Sequence, residues 1–117
     1  LISNKYAQAI IFLSSGHKAK AKDYFEEIIF SKNKFYSVLA LNAILEKELI
    51  KDKKKIIEFF NIIENLPDKE ANTDLIHFKK ALYLLKDSKS DEADKLLIRL
   101  IEKESSLKII AQEILKK

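Results

Sequence analysis

The stretch GHKAKAKDYFEEI, residues 16–28, decides how this chain folds. A glycine precedes Ala21, and Phe25 and Ile28 follow that alanine at offsets of four and seven. Offsets of 0, 4 and 7 place three side chains on one face of an α-helix. The stretch therefore predicts a joint at Gly16 and then a helix that buries a single apolar face.

The same trio recurs twice further along the chain, as Ile56, Phe60 and Ile63 and then as Ala93, Leu97 and Leu100. The trios begin 35 residues apart (21 to 56) and then 37 residues apart (56 to 93). Another apolar helical segment and a short polar joint precede each one. A near-constant period of this length is typical of stacked helical repeats, in which each helix pair buries its apolar face against its neighbours.

Extending this pattern in both directions predicts an all-α protein. The expected helices cover residues 2–15, 17–31, 34–50, 52–65, 72–87, 90–103 and 105–116, with Asn33, Asp52, Thr73, Ser90 and Ser105 as their N-caps. We expect one domain over residues 1–117, built as a short α-solenoid of three helix pairs at about 2–31, 34–65 and 72–103, with a closing helix at 105–117. A four-helix bundle is the alternative, and it fits the repeat period poorly.

The composition excludes several other classes of protein. Apolar residues make up 47% and charged residues 34% of the 117 residues, which is globular composition. Only one glycine and one proline are present, too few for the many turns of a sheet protein. The chain has no cysteine, so it has no disulfide framework. Its longest apolar run, residues 9–13, is far shorter than the roughly 20 residues that span a bilayer.

The net charge of +4 is concentrated in the first half, where residues 1–58 hold 11 lysines and 7 acidic residues. Arg99 is the single arginine among the 22 cationic residues. Nucleic-acid readers favour arginine for its bidentate, stacking guanidinium, so binding to nucleic acid is not expected.

The segment Gly16-x4-Ala21-x3-Phe25 resembles the most recognisable part of the tetratricopeptide repeat. That family has a glycine at the joint, with a small residue and an aromatic on the second helix. The expected small and aromatic positions of the first helix fall on Ala9 and Phe12. In the third unit Ala81, Ala93 and Leu97 match with Ser88 replacing the glycine, and in the middle unit Lys51, Ile44 and Ile56 replace the consensus residues while Phe60 is retained.

A narrower resemblance is carried by Tyr6-Ala7-x-Ala9, by Ser14-Ser15-Gly16 and by residues 21–28. These segments look like those of bacterial membrane-anchored, tetratricopeptide-like ancillary subunits of the Sec translocon. The resemblance implies a periplasmic helical domain behind a single N-terminal anchor. The chain has no initiator methionine, so we expect it to be part of a longer protein that carries such an anchor.

In the resembled family, the first helix of each pair lines a concave binding face. Those positions are nearly all apolar in this chain, and the predicted groove consists of Tyr6, Ile10, Leu13, Leu41, Leu45, Leu75, Phe78, Leu82 and Leu85, together with Val38. An exposed apolar face of that extent would dock a partner's helix or extended segment. Two other interpretations stay open at this stage. The same residues could pack in the core, or they could join two copies of the chain.

The basic run Lys51, Lys53, Lys54 and Lys55 surrounds the predicted cap Asp52. Lysines in a first helical turn could receive an acidic lipid headgroup or another anion, although such a run is more often a solvated face. His17 and His77 lie sixty residues apart (17 to 77) without ligands at metal-binding spacing, so no metal or cofactor is expected.

No nucleophile motif or glycine-rich phosphate loop is present in the sequence, and no enzymatic activity is expected. The sequence therefore predicts a protein-interaction module, a scaffold or chaperone-like adaptor on the periplasmic face of a bacterial inner membrane, with a cytoplasmic location as the alternative. The alternative functions are an anionic-surface binder for RNA or acidic lipid that uses the lysine-rich half, and a domain that only self-associates.

Overall fold

A computed structural model describes residues 1–67, 70–86 and 90–116, and the side chains of all of these except residues 70–72 and 90. Within these residues the chain forms seven α-helices: α1 (Ile2–Ser14), α2 (Lys18–Phe30), α3 (Lys34–Glu46), α4 (Lys53–Glu64), α5 (Glu70–Lys86), α6 (Ser90–Glu102) and α7 (Lys108–Leu115). The described part contains no strand. The prediction of an all-helical fold is confirmed.

The chain divides into two compact units, Leu1–Pro67 and Asp68–Lys117. Unit 1 contains α1 to α4 and unit 2 contains α5 to α7. Inside each unit, every helix packs on the next one along the chain. In unit 1 the first helices α1 and α3 also contact each other, as do the second helices α2 and α4. Consecutive packing of this kind is compatible with a short helical solenoid.

The two predicted trios lie in the core of unit 1. Ala21, Phe25 and Ile28 of α2 are fully buried, and so are their counterparts Ile56, Phe60 and Ile63 of α4. Small side chains lie where helices approach closely, since Ala9 of α1 and Ala40 of α3 are also buried. The repeat in the sequence therefore corresponds to a repeat in the packing, because each second helix turns the same face inward.

Unit 2 repeats this arrangement around the third trio. Ala93, Leu97 and Leu100 of α6 are buried, and they share the core with residues of the two flanking helices, Ile76, Ala81, Leu84 and Ala111. Asp74 of α5 is also buried, and its carboxylate accepts a 2.7 Å hydrogen bond from the ammonium group of Lys103, just beyond the end of α6. The ion pair ties the first turns of α5 to the joint between α6 and α7.

Four of the helices are followed by a residue in the left-handed backbone conformation, and one of these four residues is a glycine. Gly16, Lys32, Glu48 and Glu104 have φ values of 83°, 65°, 51° and 54°. After α1, α3 and α6, a backbone amide beyond the helix donates a hydrogen bond to a carbonyl in the last turn. His17 donates to Phe12, Leu49 to Ile44, and Ser105 to Leu100. These paired bonds form the Schellman motif, which satisfies the last carbonyls of a helix.

The joint between α3 and α4 differs from the prediction. Helix α3 ends at Glu46 rather than at residue 50, and the left-handed residue is Glu48, three residues before the Lys51 that stood for the consensus glycine. Leu49 and Ile50 are half-buried, so this longer joint adds apolar contacts instead of a helical turn. The glycine-equivalent Ser88 of the third unit lies outside the described residues.

Two of the four predicted N-caps whose side chains the structure describes are confirmed. Side-chain oxygens of Asn33 and Asp52 accept hydrogen bonds from the amides of Tyr36 and Lys54, both at 3.0 Å. The prediction for Thr73 is wrong, because α5 already begins at Glu70. The hydroxyl of Ser105 accepts from Leu107 in a turn before α7, which begins three residues later than predicted, at Lys108. The side chain of Ser90 lies outside the described part.

Candidate functional site

An aromatic row connects the two first helices of unit 1. The rings of Tyr6 on α1 and Tyr36 on α3 lie 5.6 Å apart between centroids, and Phe35 meets Tyr36 edge-on at 5.0 Å. Tyr6 also contacts the buried ring of Phe25, which anchors the row to the core. Phe35 is the most open member, with 66% of its surface exposed. A contiguous exposed apolar patch marks an interaction surface, whereas a single exposed ring by itself does not.

The solvent side of α3 continues from this row. Its positions follow the spacing i, i+4, i+7 and i+11: Phe35, Leu39, Asn42 and Glu46. They lie opposite the buried side of the helix, which is formed by Ser37, Ala40, Leu41 and Ile44. On α1, Ile10 lies one turn beyond Tyr6 and is 38% exposed. We call Tyr6, Ile10, Phe35, Tyr36 and Leu39 the first-helix face.

Charged residues are scarce on these two helices. Helices α1 and α3 carry three charged side chains between them (Lys5, Lys34 and Glu46), whereas α2 and α4 carry eleven. Lys5 pairs with Glu27 of α2 at 2.7 Å, and its ammonium lies 5.3 Å from the ring centre of Tyr24. Lys34 donates to the carbonyls of Ile63 and Leu66 at the end of α4, at 3.0 and 3.4 Å. Both lysines thus contact second-helix groups, which leaves the first-helix face nearly neutral.

The structure divides the predicted groove residues into three groups. Leu41 and Phe78 are core residues, 1% and 9% exposed, because α3 and α5 turn those positions inward. Tyr6, Leu13, Leu45 and Leu85, with Val38, are half-buried, and Ile10, Leu75 and Leu82 are exposed. The interpretation of core packing therefore holds for two of the predicted residues. Binding by the others stays a prediction.

Unit 2 has a narrower apolar strip of its own. Leu75 and Leu82 lie two helical turns apart on α5, and each is 40% exposed. Lys86 is exposed one turn beyond Leu82, so cationic and apolar groups share this strip. The remaining circumference of α5 is largely buried, including the positions between the two leucines.

One lysine of the basic run is already engaged in an ion pair within unit 1. Lys55 pairs with Glu26 of α2 at 2.7 Å, and the hydrogen bond and charge of Glu26 raise the pKa of that lysine. Lys51 and Lys54 are exposed, while Lys53 is half-buried. Because one member holds α4 to α2, the run is partly structural.

Adjacent carboxylates on α2 have separate partners. Glu26 engages Lys55 of α4, and Glu27 engages Lys5 of α1. Neighbours at i and i+1 leave a helix in different directions, which is why each joins α2 to a different helix. They cross-link unit 1 and do not form a pair that faces a common substrate.

The two histidines occupy different settings. His17 follows the joint glycine and meets the ring of Phe12 edge-on at 6.2 Å. His77 is half-buried and lies near Asp74. Burial would raise the pKa of Asp74, but hydrogen bonds from Lys103 and Ser105 and the nearby charges together lower it. Among the described residues, no three histidine, aspartate or glutamate side chains come together as a metal site would require.

Sequence reasoning missed Phe35 and Tyr36, which form the open end of the aromatic row. A signal was present, since two consecutive aromatics follow the cap Asn33 in the first turn of a helix. The predicted face of α3 was instead centred on Val38, Leu41 and Leu45. Only the packing of α3 against its neighbours shows which of these sides is free.

Comparison with known proteins adds no relative: no protein-family model, curated protein or solved structure matches this chain. Within the described residues, none of the helices combines the length and apolar character needed to cross a membrane.

Proposed function

We propose that this chain is a tetratricopeptide-like protein-interaction module, and that it serves as a scaffold or chaperone-like adaptor. The observation that carries the proposal is the first-helix face of unit 1. It combines an exposed phenylalanine, two half-buried tyrosines and two aliphatic side chains on a nearly neutral surface. A partner's apolar segment buried there would gain roughly 25 cal/mol per Å² of apolar surface.

The proposed cellular setting is the periplasmic side of a bacterial inner membrane, with the protein working beside the protein translocation machinery. Support for this setting is the sequence resemblance in residues 6–9, 14–16 and 21–28. An adaptor in that setting would hold apolar segments that have crossed the membrane before they fold. The lysines of the outer helices would influence the rate of encounter more than the affinity.

A site-specific photo-crosslinking experiment tests the proposal. A photoreactive phenylalanine analogue replaces Phe35 in one variant and Phe30 of α2, also half exposed, in a matched variant. Both variants are expressed in the organism that makes this protein. We expect crosslinks from position 35 to envelope or translocation proteins, and far fewer from position 30.

A pair of charge substitutions provides the control for binding through the face. Ile10→Asp places a carboxylate on the first-helix face, whereas Ile11→Asp places one on a different side of the same helix, at a residue that is 60% exposed. We expect the first to abolish the position-35 crosslinks and the second to preserve them, with equal helix content by circular dichroism. Crosslinks only between copies of the chain would instead establish self-association, and equal labelling from positions 35 and 30 would refute the proposed site.

A further inference from the structure

The rings and hydroxyls of the aromatic row point to one kind of occupant. We infer that the first-helix face of unit 1 binds an uncharged, proline-containing extended segment of a partner protein, in the polyproline II conformation. This inference rests on the proposed function, since it names the partner chemistry of the same face. Three properties of Tyr6, Phe35 and Tyr36 support it: their hydroxyls, their spacing and the neutrality of their surroundings.

The two tyrosine hydroxyls are available to a ligand. Neither phenol of Tyr6 or Tyr36 forms a hydrogen bond with another described residue, and neither oxygen is among the buried atoms that lack a partner, so each oxygen keeps some exposure to water. A polyproline II segment has no internal hydrogen bonds and presents its carbonyls to the surroundings. An α-helical partner has already satisfied the carbonyls along its length. Phenol donors beside open rings therefore favour the extended segment.

The spacing of the rings is compatible with the repeat of that conformation. Centroids follow one another at 5.0 Å from Phe35 to Tyr36 and 5.6 Å from Tyr36 to Tyr6. The row is therefore at most about 11 Å long, and a polyproline II helix repeats every three residues, or about 9 Å. That repeat lies within the upper limit, so two prolines three positions apart fit within the length of the row. Aromatic-lined grooves recognise proline-rich segments by this kind of contact.

The electrostatics of the face select a neutral segment. The two lysines of α1 and α3 are held by Glu27 and by the carbonyls at the end of α4, so neither is free to pair with an acidic ligand at the row. An acidic ligand at the row would lose water without gaining a counter-ion from either of these two lysines, which disfavours it. The nearest acidic group on the solvent side of α3 is Glu46, three turns from Phe35.

The test is a chemical-shift titration of the 117-residue chain with three blocked peptides: nine prolines, nine glutamates, and a neutral fifteen-residue helix of alanine, leucine and glutamine. We expect the oligoproline to shift the amide and ring signals of Tyr6, Phe35 and Tyr36. Neither of the other peptides should bind as tightly.

Variants then assign the contacts. Phe35→Ala should weaken oligoproline binding about tenfold, as expected for loss of an aromatic anchor. Tyr6→Phe and Tyr36→Phe keep the rings and should each weaken binding about threefold, the loss of one hydrogen bond. Phe30→Ala, which removes a half-exposed ring elsewhere in the unit, should leave binding unchanged.

Equal oligoproline affinity for the unsubstituted chain and for Phe35→Ala would overturn the inference. So would the absence of chemical-shift changes at Tyr6, Phe35 and Tyr36. Tighter binding of the helical peptide to the same residues would overturn it too, while leaving the interaction role of the face intact. The proposed function stands or falls separately, on the crosslinks from position 35.

Discussion

Lys34 offers the sharpest test of how unit 1 is held together. Its ammonium group donates to the carbonyls of Ile63 and Leu66, so the first residue of α3 caps the end of α4. In Lys34→Met the side-chain stem stays and the charge is lost, so the carbonyls lose a cationic donor but not their packing. The substitution therefore isolates the cap.

The magnitude follows from the two contacts. A hydrogen bond to a charged group contributes roughly 1.5–3 kcal/mol, and a cation at a helix C-terminus about 0.3–1 kcal/mol. The second contact, to Leu66, is long at 3.4 Å, and the site is only partly buried, so water can replace part of the loss. We expect the free energy of unfolding to fall by about 1–2 kcal/mol. For a unit of 67 residues that is a large fraction of a total of roughly 3–10 kcal/mol.

Urea unfolding followed by tyrosine near-ultraviolet circular dichroism measures this loss. The chain has no tryptophan, and three of its four tyrosines, at positions 6, 24 and 36, belong to unit 1. Lys54→Met, at an exposed lysine of α4, is the matched control and should change the free energy by less than about 0.5 kcal/mol. If Lys34→Met proved as stable as Lys54→Met, the capping role of Lys34 would be wrong.

Three further predictions concern the core, a joint and the buried ion pair. Phe25→Ala should cost about 3–5 kcal/mol in urea unfolding, because it empties a fully buried ring site; a loss below about 1 kcal/mol would contradict that burial. Glu48→Gly should raise the melting temperature, since relief of left-handed strain of about 1–2 kcal/mol exceeds the entropic penalty of glycine of about 0.5–1 kcal/mol; a lower melting temperature would count against the strain. Because the pKa of Asp74 is lowered in the folded chain, its contribution to stability is present above the ordinary value of 3.8 and is lost as the pH falls through the lower folded value. Urea midpoints measured from pH 6 to pH 2.5 should therefore drop more steeply in the unsubstituted chain than in Asp74→Asn. Parallel curves would exclude the ion pair of Asp74 as a cause of the loss of stability in acid.

Most of the helix positions could be predicted from the sequence because they follow from local patterns. The trio spacing in α2, α4 and α6 gave the buried face of each second helix, and two side-chain caps marked helix starts. The end of α3 could not be predicted in the same way. A glutamate in the left-handed region has no sequence signal, and Glu48 adopts it because the Schellman bonds and the half-buried Leu49 offset its strain.

The candidate site was less predictable than the fold. Every apolar residue of α1 or α3 is a possible core or surface residue, since each of these helices contacts more than one neighbouring helix. The sequence alone placed Leu41 and Phe78 in the groove, but both are buried. It did not select Phe35 or Tyr36, although both carry aromatic rings on the open side of the unit.

The sequence by itself determined the all-helical class, the repeat period and the face that each second helix buries, because these depend on spacing within one helix. The tertiary structure decided the rotation of α3, and with it which aromatic side chains remain exposed. It also decided where the lysines go: Lys5, Lys34 and Lys55 each bond to groups more than twenty residues away. Such contacts depend on the packing of one helix against another, and no local pattern encodes them. The neutrality of the first-helix face is therefore a property of the fold as well as of the residues on it.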